Sequence, residues 1–100
     1  MENVEIIKLP AECIIQNADD IADCFRKAIT TKGDVILDVS STDIITTAII
    51  QLILALDNHL IAHNNKLIIQ GARDVFINNF SEIGLENFLS KKIIQQESGV

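Results

Sequence analysis

VILDVSSTDIITTAIIQLILALDNHLIAHNNKLIIQ, residues 35–70, places two short β-type runs on either side of a long helical one. Val35, Ile36 and Leu37 form a continuous apolar run ending at Asp38, the pattern of a strand buried on both faces of a sheet. Lys66–Gln70 (KLIIQ) repeats the pattern. Between them the segment Val39–Asp43 gives way, near Thr46 or Thr47, to a helix whose first half is apolar nearly all round. Such a helix must be sandwiched between the sheet and another layer. A helical crossover of this length between two buried strands is right-handed, so Val35–Asp38 and Lys66–Gln70 are expected to be neighbouring parallel strands.

Upstream, Val4, Ile6, Ile7 and Leu9 form an apolar run ended by Pro10, and Glu12–Gln16 holds another short β-type segment. The reading is an opening hairpin turned at Pro10 and Ala11, which makes the sheet mixed. Asn17 then stands as a helix N-cap, with Asp20 three places on to meet the positive helix end. Ala18, Ile21, Ala22, Phe25, Ala28 and Ile29 follow on one face at 3.6 spacing, with Asp19, Asp23, Arg26 and Lys27 opposite, and Gly33 closes the turn. Downstream, Gly71 turns the chain, and Val75, Phe76, Asn79, Phe80 and Ile83 mark an amphipathic helix before Gly84. Leu85, Phe88 and Leu89 add a further turn, and Lys92–Gln95 is a short final strand. Residues 1–95 are expected to form one domain, and 96–100 a frayed tail. Phe25, Ile36, Leu37, Leu52, Leu56, Ile68, Phe76 and Phe80 are the expected core.

Composition narrows the function. The 100 residues are 48% apolar, enough for a single core, and the longest apolar tracts, Ala48–Ile50 and Leu52–Leu56, are broken by Gln51 and Asp57. They fall far short of the roughly 20 residues of a membrane span, so no membrane insertion is expected. The opening MENVEIIKLP carries acidic residues where a secretory signal is basic, and the expected location is the cytoplasm. A formal charge of −6 with only eight scattered Lys and Arg repels phosphate backbones and anionic lipid, which argues against nucleic acid as a partner. Cys13 and Cys24 lack the close spacing of zinc or dithiol chemistry and read as small buried apolar residues.

The polar segment after the Val35–Leu37 strand lies beyond a strand's carboxyl end, where open α/β sheets place their binding sites. Asp38, Ser40, Ser41, Thr42, Asp43, Thr46 and Thr47 supply carboxylates and hydroxyls there, without the glycine-rich loop that admits phosphates. The bland reading is a strand-to-helix turn capped by Thr46 or Thr47. His59 and His63 have the i,i+4 spacing of a helical metal pair but lack the intervening Glu of a zinc protease and any evident third ligand, so they read as solvated helix histidines. Asp19, Asp20 and Asp23 read as a solvated, dipole-complementing face rather than a calcium site. No metal, cofactor or catalytic residue is expected.

Leu37–Ala55, LDVSSTDIITTAIIQLILA, followed by KLIIQGARDVFINNFSEIGLENFL, resembles the STAS superfamily, the sulfate-transporter and anti-sigma-factor-antagonist domain, over most of the chain. Asp38 and Ser40 match its Asp-x-Ser strand end. Thr47, Ala48, Gln51 and Leu52 resemble a variant of small stand-alone bacterial members, some linked to chemotaxis. The resemblance implies an α/β fold, a mixed sheet of four or five strands backed by three to four helices, and a switch surface at the start of the long helix. It makes Asp38, Ser40, Ser41, Asp43, Thr46, Thr47, Ala48 and Gln51 the partner-binding candidates. In anti-sigma antagonists that helix opens Asp-Ser-Ser-Gly and its second serine is phosphorylated. Here Ala48 holds that position without a hydroxyl, Thr46 replaces the acid and Ile49 the glycine, so Thr47 is the candidate phosphoacceptor. The implied function is a non-catalytic bacterial regulatory module whose partner is an anti-sigma-like kinase or a chemotaxis-type signalling protein. The alternative is the cytoplasmic STAS subunit of a phospholipid-trafficking ABC transporter, whose partner is the ATPase and whose sequence IQGARD at Ile69–Asp74 resembles.

Overall fold

The computed structural model describes residues 4–93. Five strands, β1 (Val4–Lys8), β2 (Glu12–Cys13), β3 (Asp34–Asp38), β4 (Ile44–Ile45) and β5 (Leu67–Gln70), occur among the described residues with four α-helices. These helices are α1 (Ala18–Ile29), α2 (Thr47–Ala62), α3 (Asp74–Glu82) and α4 (Glu86–Lys92). The expected neighbours are found: β3 pairs with β5 in parallel, Val35 opposite Leu67 and Asp38 opposite Gln70. The α/β class and the strand total are likewise those expected, but the strands divide into a sheet of order β1-β3-β5 and a two-stranded sheet β2-β4.

The opening hairpin does not form. β1 pairs in parallel with β3, and β2 pairs in parallel with β4, so every strand pairing among the described residues is parallel. The chain crosses from one sheet to the other at Leu9–Ala11, where the Ala11 carbonyl accepts from the amides of Asp43 and Ile44 at 2.8 and 3.1 Å. The final strand reduces to one parallel bridge between Ile93 and Ile69, with residues 94 and 95 outside the described range, as is the expected tail.

Among the described residues the sheet buries one face in the core and leaves the other less covered. Ile7, Val35, Leu37, Leu67 and Ile69 point into a core shared with Ile21, Phe25 and Ala28 of α1 and Ile49, Ile50, Ile53, Leu56 and Leu60 of α2. Ile6, Ile36 and Ile68 stand opposite one another in register on the other face, Ile6 65% exposed and the other two half-buried. Ile36 and Ile68 therefore leave the expected core, because strand alternation sends them to the less covered side. Leu52 is only half-buried against the core, whereas Phe25, Leu37, Leu56, Phe76 and Phe80 belong to it. The other expectation to fail here is Cys24, which is exposed; Cys13 is buried.

Helix ends show what local pattern leaves out. Asn17 does occupy the N-cap of α1, but its side chain makes no cap bond and instead donates to the Glu12 carbonyl. Lys32, not Gly33, takes the left-handed conformation after α1, at φ 59°. α2 and α3 close with Asn64 and Gly84 at positive φ, and the amides of Asn65 and Leu85 reach back to the carbonyls of Leu60 and Phe80. That six-to-one bond is the Schellman closure. α4 packs on α3 through Phe80 and Phe88, whose ring centroids are 6.2 Å apart, and on β5. Its last residue, Lys92, places Nζ 2.7 Å from Oδ1 of Asp57, an α2 residue 5% exposed. The approach lies outside hydrogen-bonding geometry, so the contact is an ion pair in the interior.

Candidate functional site

Because Asp38 and Gln70 are paired, the loops leaving β3 and β5 emerge side by side. Within the first, the Asp38 carboxylate accepts the Ser40 amide at 3.0 Å, a tight Asx turn. That bond and then one from the Ser40 side chain hold the Asp38 carboxyl below its ordinary pKa against an opposing effect of burial, and the nearby Lys8 charge adds a lesser lowering. Lys8 faces Asp38 across the β1–β3 register. Val39 donates its amide to Gln70 at 2.9 Å, tying the loop base to β5. Thr42 is fully buried, and its hydroxyl donates to the Pro10 carbonyl at 3.0 Å, so it belongs to the scaffold.

Arg73, in the β5–α3 turn, fastens the outer half of the loop. Its Nε donates to the Ser40 carbonyl at 3.0 Å, and a guanidinium amino group donates to the Thr42 carbonyl at 3.0 Å and to Asp43 Oδ1 at 2.6 Å. Gly71 lets the two turns approach: its φ is +81°, and a Cβ there would lie 2.9 Å from the Ser40 Cβ. Arg73 was not among the residues singled out from the loop's own sequence, and its only local signal is a basic residue just after a glycine turn. Its partners lie about thirty positions upstream.

After β4 the chain enters α2. Thr46 is the N-cap by position, with φ −94° and ψ 165°, but its hydroxyl turns back to the Cys13 carbonyl at 3.4 Å and makes no cap bond. Its carbonyl accepts the Ile49 and Ile50 amides, starting the helix. Thr47 and Gln51 are exposed, one turn apart, and Ala48 is half-buried beside them. The structure thus gathers the candidates into two adjoining parts: a pinned loop exposing Ser40, Ser41 and Asp43, and a helix start exposing Thr47 and Gln51, joined through Ile44, which is 47% exposed. Asp38 is the loop's anchor and Thr46 its junction with β2. Cys13 beneath this junction is pushed up in pKa by burial, which disfavours the thiolate. Among the described residues no group of three or more His, Cys, Asp or Glu gathers as for a metal, and no helix is long and apolar enough to cross a membrane.

A small parallel sheet with a helix pair on one face and a pinned loop at a strand's carboxyl end defines an α/β domain whose exposed polar groups lie on a surface. The STAS domain model matches residues 1–98, and the chain belongs to that family. Several solved structures share the fold. The anti-sigma factor antagonist SpoIIAA in its unphosphorylated form superposes with a TM-score of 0.75 at 15% identity, covering 98% of this chain and 84% of that one. A sulfate transporter family protein from Wolinella succinogenes superposes with a TM-score of 0.68 at 15% identity, covering 90% and 75%. No curated protein matches the chain in sequence.

Proposed function

We propose that the chain is a non-catalytic regulatory module that docks onto a protein partner through the Asp38–Asp43 loop and the amino end of α2, with Thr47 controlling affinity. The observation that carries the reading is the pinning of an otherwise polar, exposed loop by Arg73 and by Asp38, so that Ser41, Asp43, Ile44, Thr47 and Gln51 are held in one arrangement before any partner arrives. Preorganisation of this kind lowers the ordering cost of binding. A helix start is the positive end of its dipole, so phosphate charge added at Thr47 would meet it there and alter a partner's docking. The likeness to the anti-sigma factor antagonist SpoIIAA favours a regulatory partner of the anti-sigma type.

The test uses the tagged chain as bait in its native cytoplasm, followed by titration calorimetry with the recovered partner. Thr47→Ser should bind as the parent does. Thr47→Glu should weaken binding roughly tenfold or more, equivalent to about 1.4 kcal/mol, without lowering thermal stability. Equal affinity for Thr47→Ser, Thr47→Ala and Thr47→Glu would defeat the reading, and recovery of an ATPase with a permease would replace it with the transporter one.

A further inference from the structure

We infer that His59 and His63, at the carboxyl end of α2, form a binding site for a borderline-soft divalent metal ion such as zinc or nickel, with water completing the coordination. The two imidazoles lie one helical turn apart and stack, their ring centroids 4.3 Å apart and their planes 24° from parallel. An ion bonded to two imidazole nitrogens at about 2.0–2.1 Å holds them about 3 Å apart, so modest side-chain rotation converts the stack into a chelate. His63 Nδ1 lies 2.9 Å from the His59 carbonyl oxygen. A carbonyl only accepts, so the proton sits on Nδ1 and Nε2 keeps its lone pair; the same outer hydrogen bond fixes the tautomer of metal-ligating histidines.

The surroundings select a cation. Both histidines line a cleft of about 350 Å³ with Ile29, Lys32, Leu60 and Asn65. α1 ends at Ile29 and α2 at Ala62, so the carbonyl ends of two helices meet at this cleft. Helix ends of this polarity disfavour an anion, although capping donors already engage the last carbonyls of both helices and reduce the effect. The chain's formal charge of −6 acts in the same direction. No carboxylate lines the cleft, and a pair of imidazole nitrogens suits zinc or nickel rather than magnesium. Lys32, exposed beside the pair, is the cation the fold already places in this potential, and it competes with the metal. The site is separate from the proposed docking surface, since α2 has sixteen residues and spans about 24 Å.

The experiment is isothermal titration of the metal-free full chain with zinc, nickel and magnesium chloride in turn, paired with imidazole nitrogen resonances and melting curves that show each variant folded. We expect one equivalent of zinc or nickel to bind and magnesium to give no heat. His59→Ala and His63→Ala should each lose roughly tenfold or more in affinity, Lys32→Ala should bind more tightly, and Cys24→Ser should leave affinity unchanged. Absence of zinc and nickel binding, affinity indifferent to both histidine variants, weaker binding by Lys32→Ala, or loss with Cys24→Ser would each overturn the site. None of these readouts involves the protein partner, so they stand or fall apart from the docking proposal.

Discussion

Replacing Lys92 with Met should destabilise the fold by about 3 kcal/mol, because the substitution strands a charge in the interior rather than merely removing a contact. Asp57 is 5% exposed, and Lys92 Nζ at 2.7 Å is its counter-ion. At an effective dielectric of about 20 the gross attraction across that distance is about 6 kcal/mol, and desolvation of two ions costs a similar sum, so the pair itself contributes little net. Removing one partner is different: the remaining carboxylate keeps its desolvation cost, and measured losses run to about 3–5 kcal/mol. The Lys92 side chain retains 16% exposure, which places the estimate at the lower end. Its position 5.7 Å from the Phe88 ring centroid adds a small cation–π loss. Against a total stability of about 5–15 kcal/mol such a loss is large, and it should lower the melting temperature by more than about 10 °C. The chain has no Trp or Tyr, so urea unfolding is best followed by far-ultraviolet circular dichroism. Asp57→Leu with Lys92→Met should restore stability to within about 1 kcal/mol of the parent or exceed it. A loss below about 0.5 kcal/mol for Lys92→Met alone, or a double variant as weak as the single, would refute the reasoning.

Three further outcomes follow from the same structure. Gly71→Ala should cost about 1–2 kcal/mol in urea unfolding, because its positive φ and a Cβ 2.9 Å from that of Ser40 oppose any side chain; a neutral result would show that the two turns are not in contact. Ile53→Ala, at a fully buried position of α2, should cost about 2–5 kcal/mol and clearly exceed the loss from Leu52→Ala, since Leu52 is only half-buried; equal losses would mean that α2 presents another face. The Asp38 carboxyl has a folded pKa below its ordinary value of 3.8, so its contribution to the loop is fully present above about pH 4 and is lost as pH falls through the folded value. Exchange protection of the Ser40 amide should follow that acid titration and be lost in Asp38→Ala, and protection independent of both would sink the Asx-turn account.

What the chain reveals about its own fold depends on how local each determinant is. Val35–Leu37 and Lys66–Gln70 are readable because β-branched runs bounded by Asp38 and Gly71 need only their own neighbours to become strands, and the long α2 between them forces a parallel pairing. The hairpin at Pro10 fails on the same criterion. Adjacency in sequence suggests that β1 and β2 pair, but their partners are β3 and β4, met only after α1 has brought the chain back. Apolar continuity misled at Ile36 and Ile68 because it cannot say which face of a sheet is left less covered, while the burial of Asp57 depends on a lysine in a later helix. The caps fail for a related reason: the groups that claim the side chains of Asn17 and Thr46 are carbonyls of Glu12 and Cys13, on the short strand that crosses to β4.

The candidate surface follows this division and shows where its rigidity originates. Its polar residues were legible as a group, since a loop after a buried strand must satisfy its backbone with nearby hydroxyls and carboxylates. What turns those residues into a fixed surface is the parallel register that sets Asp38 beside Gln70, the missing side chain at Gly71, and the reach of Arg73 to two carbonyls and a carboxylate on the neighbouring turn. None of these acts alone. Without the register the turns diverge, without Gly71 they cannot close, and without Arg73 the carbonyls of Ser40 and Thr42 return to water and the outer loop is free to move. Rigidity at the loop is therefore a property of the β3–β5 pair, and a substitution in the β5–α3 turn should loosen the loop at Ser41 and Asp43, and with it the proposed docking, without touching either residue.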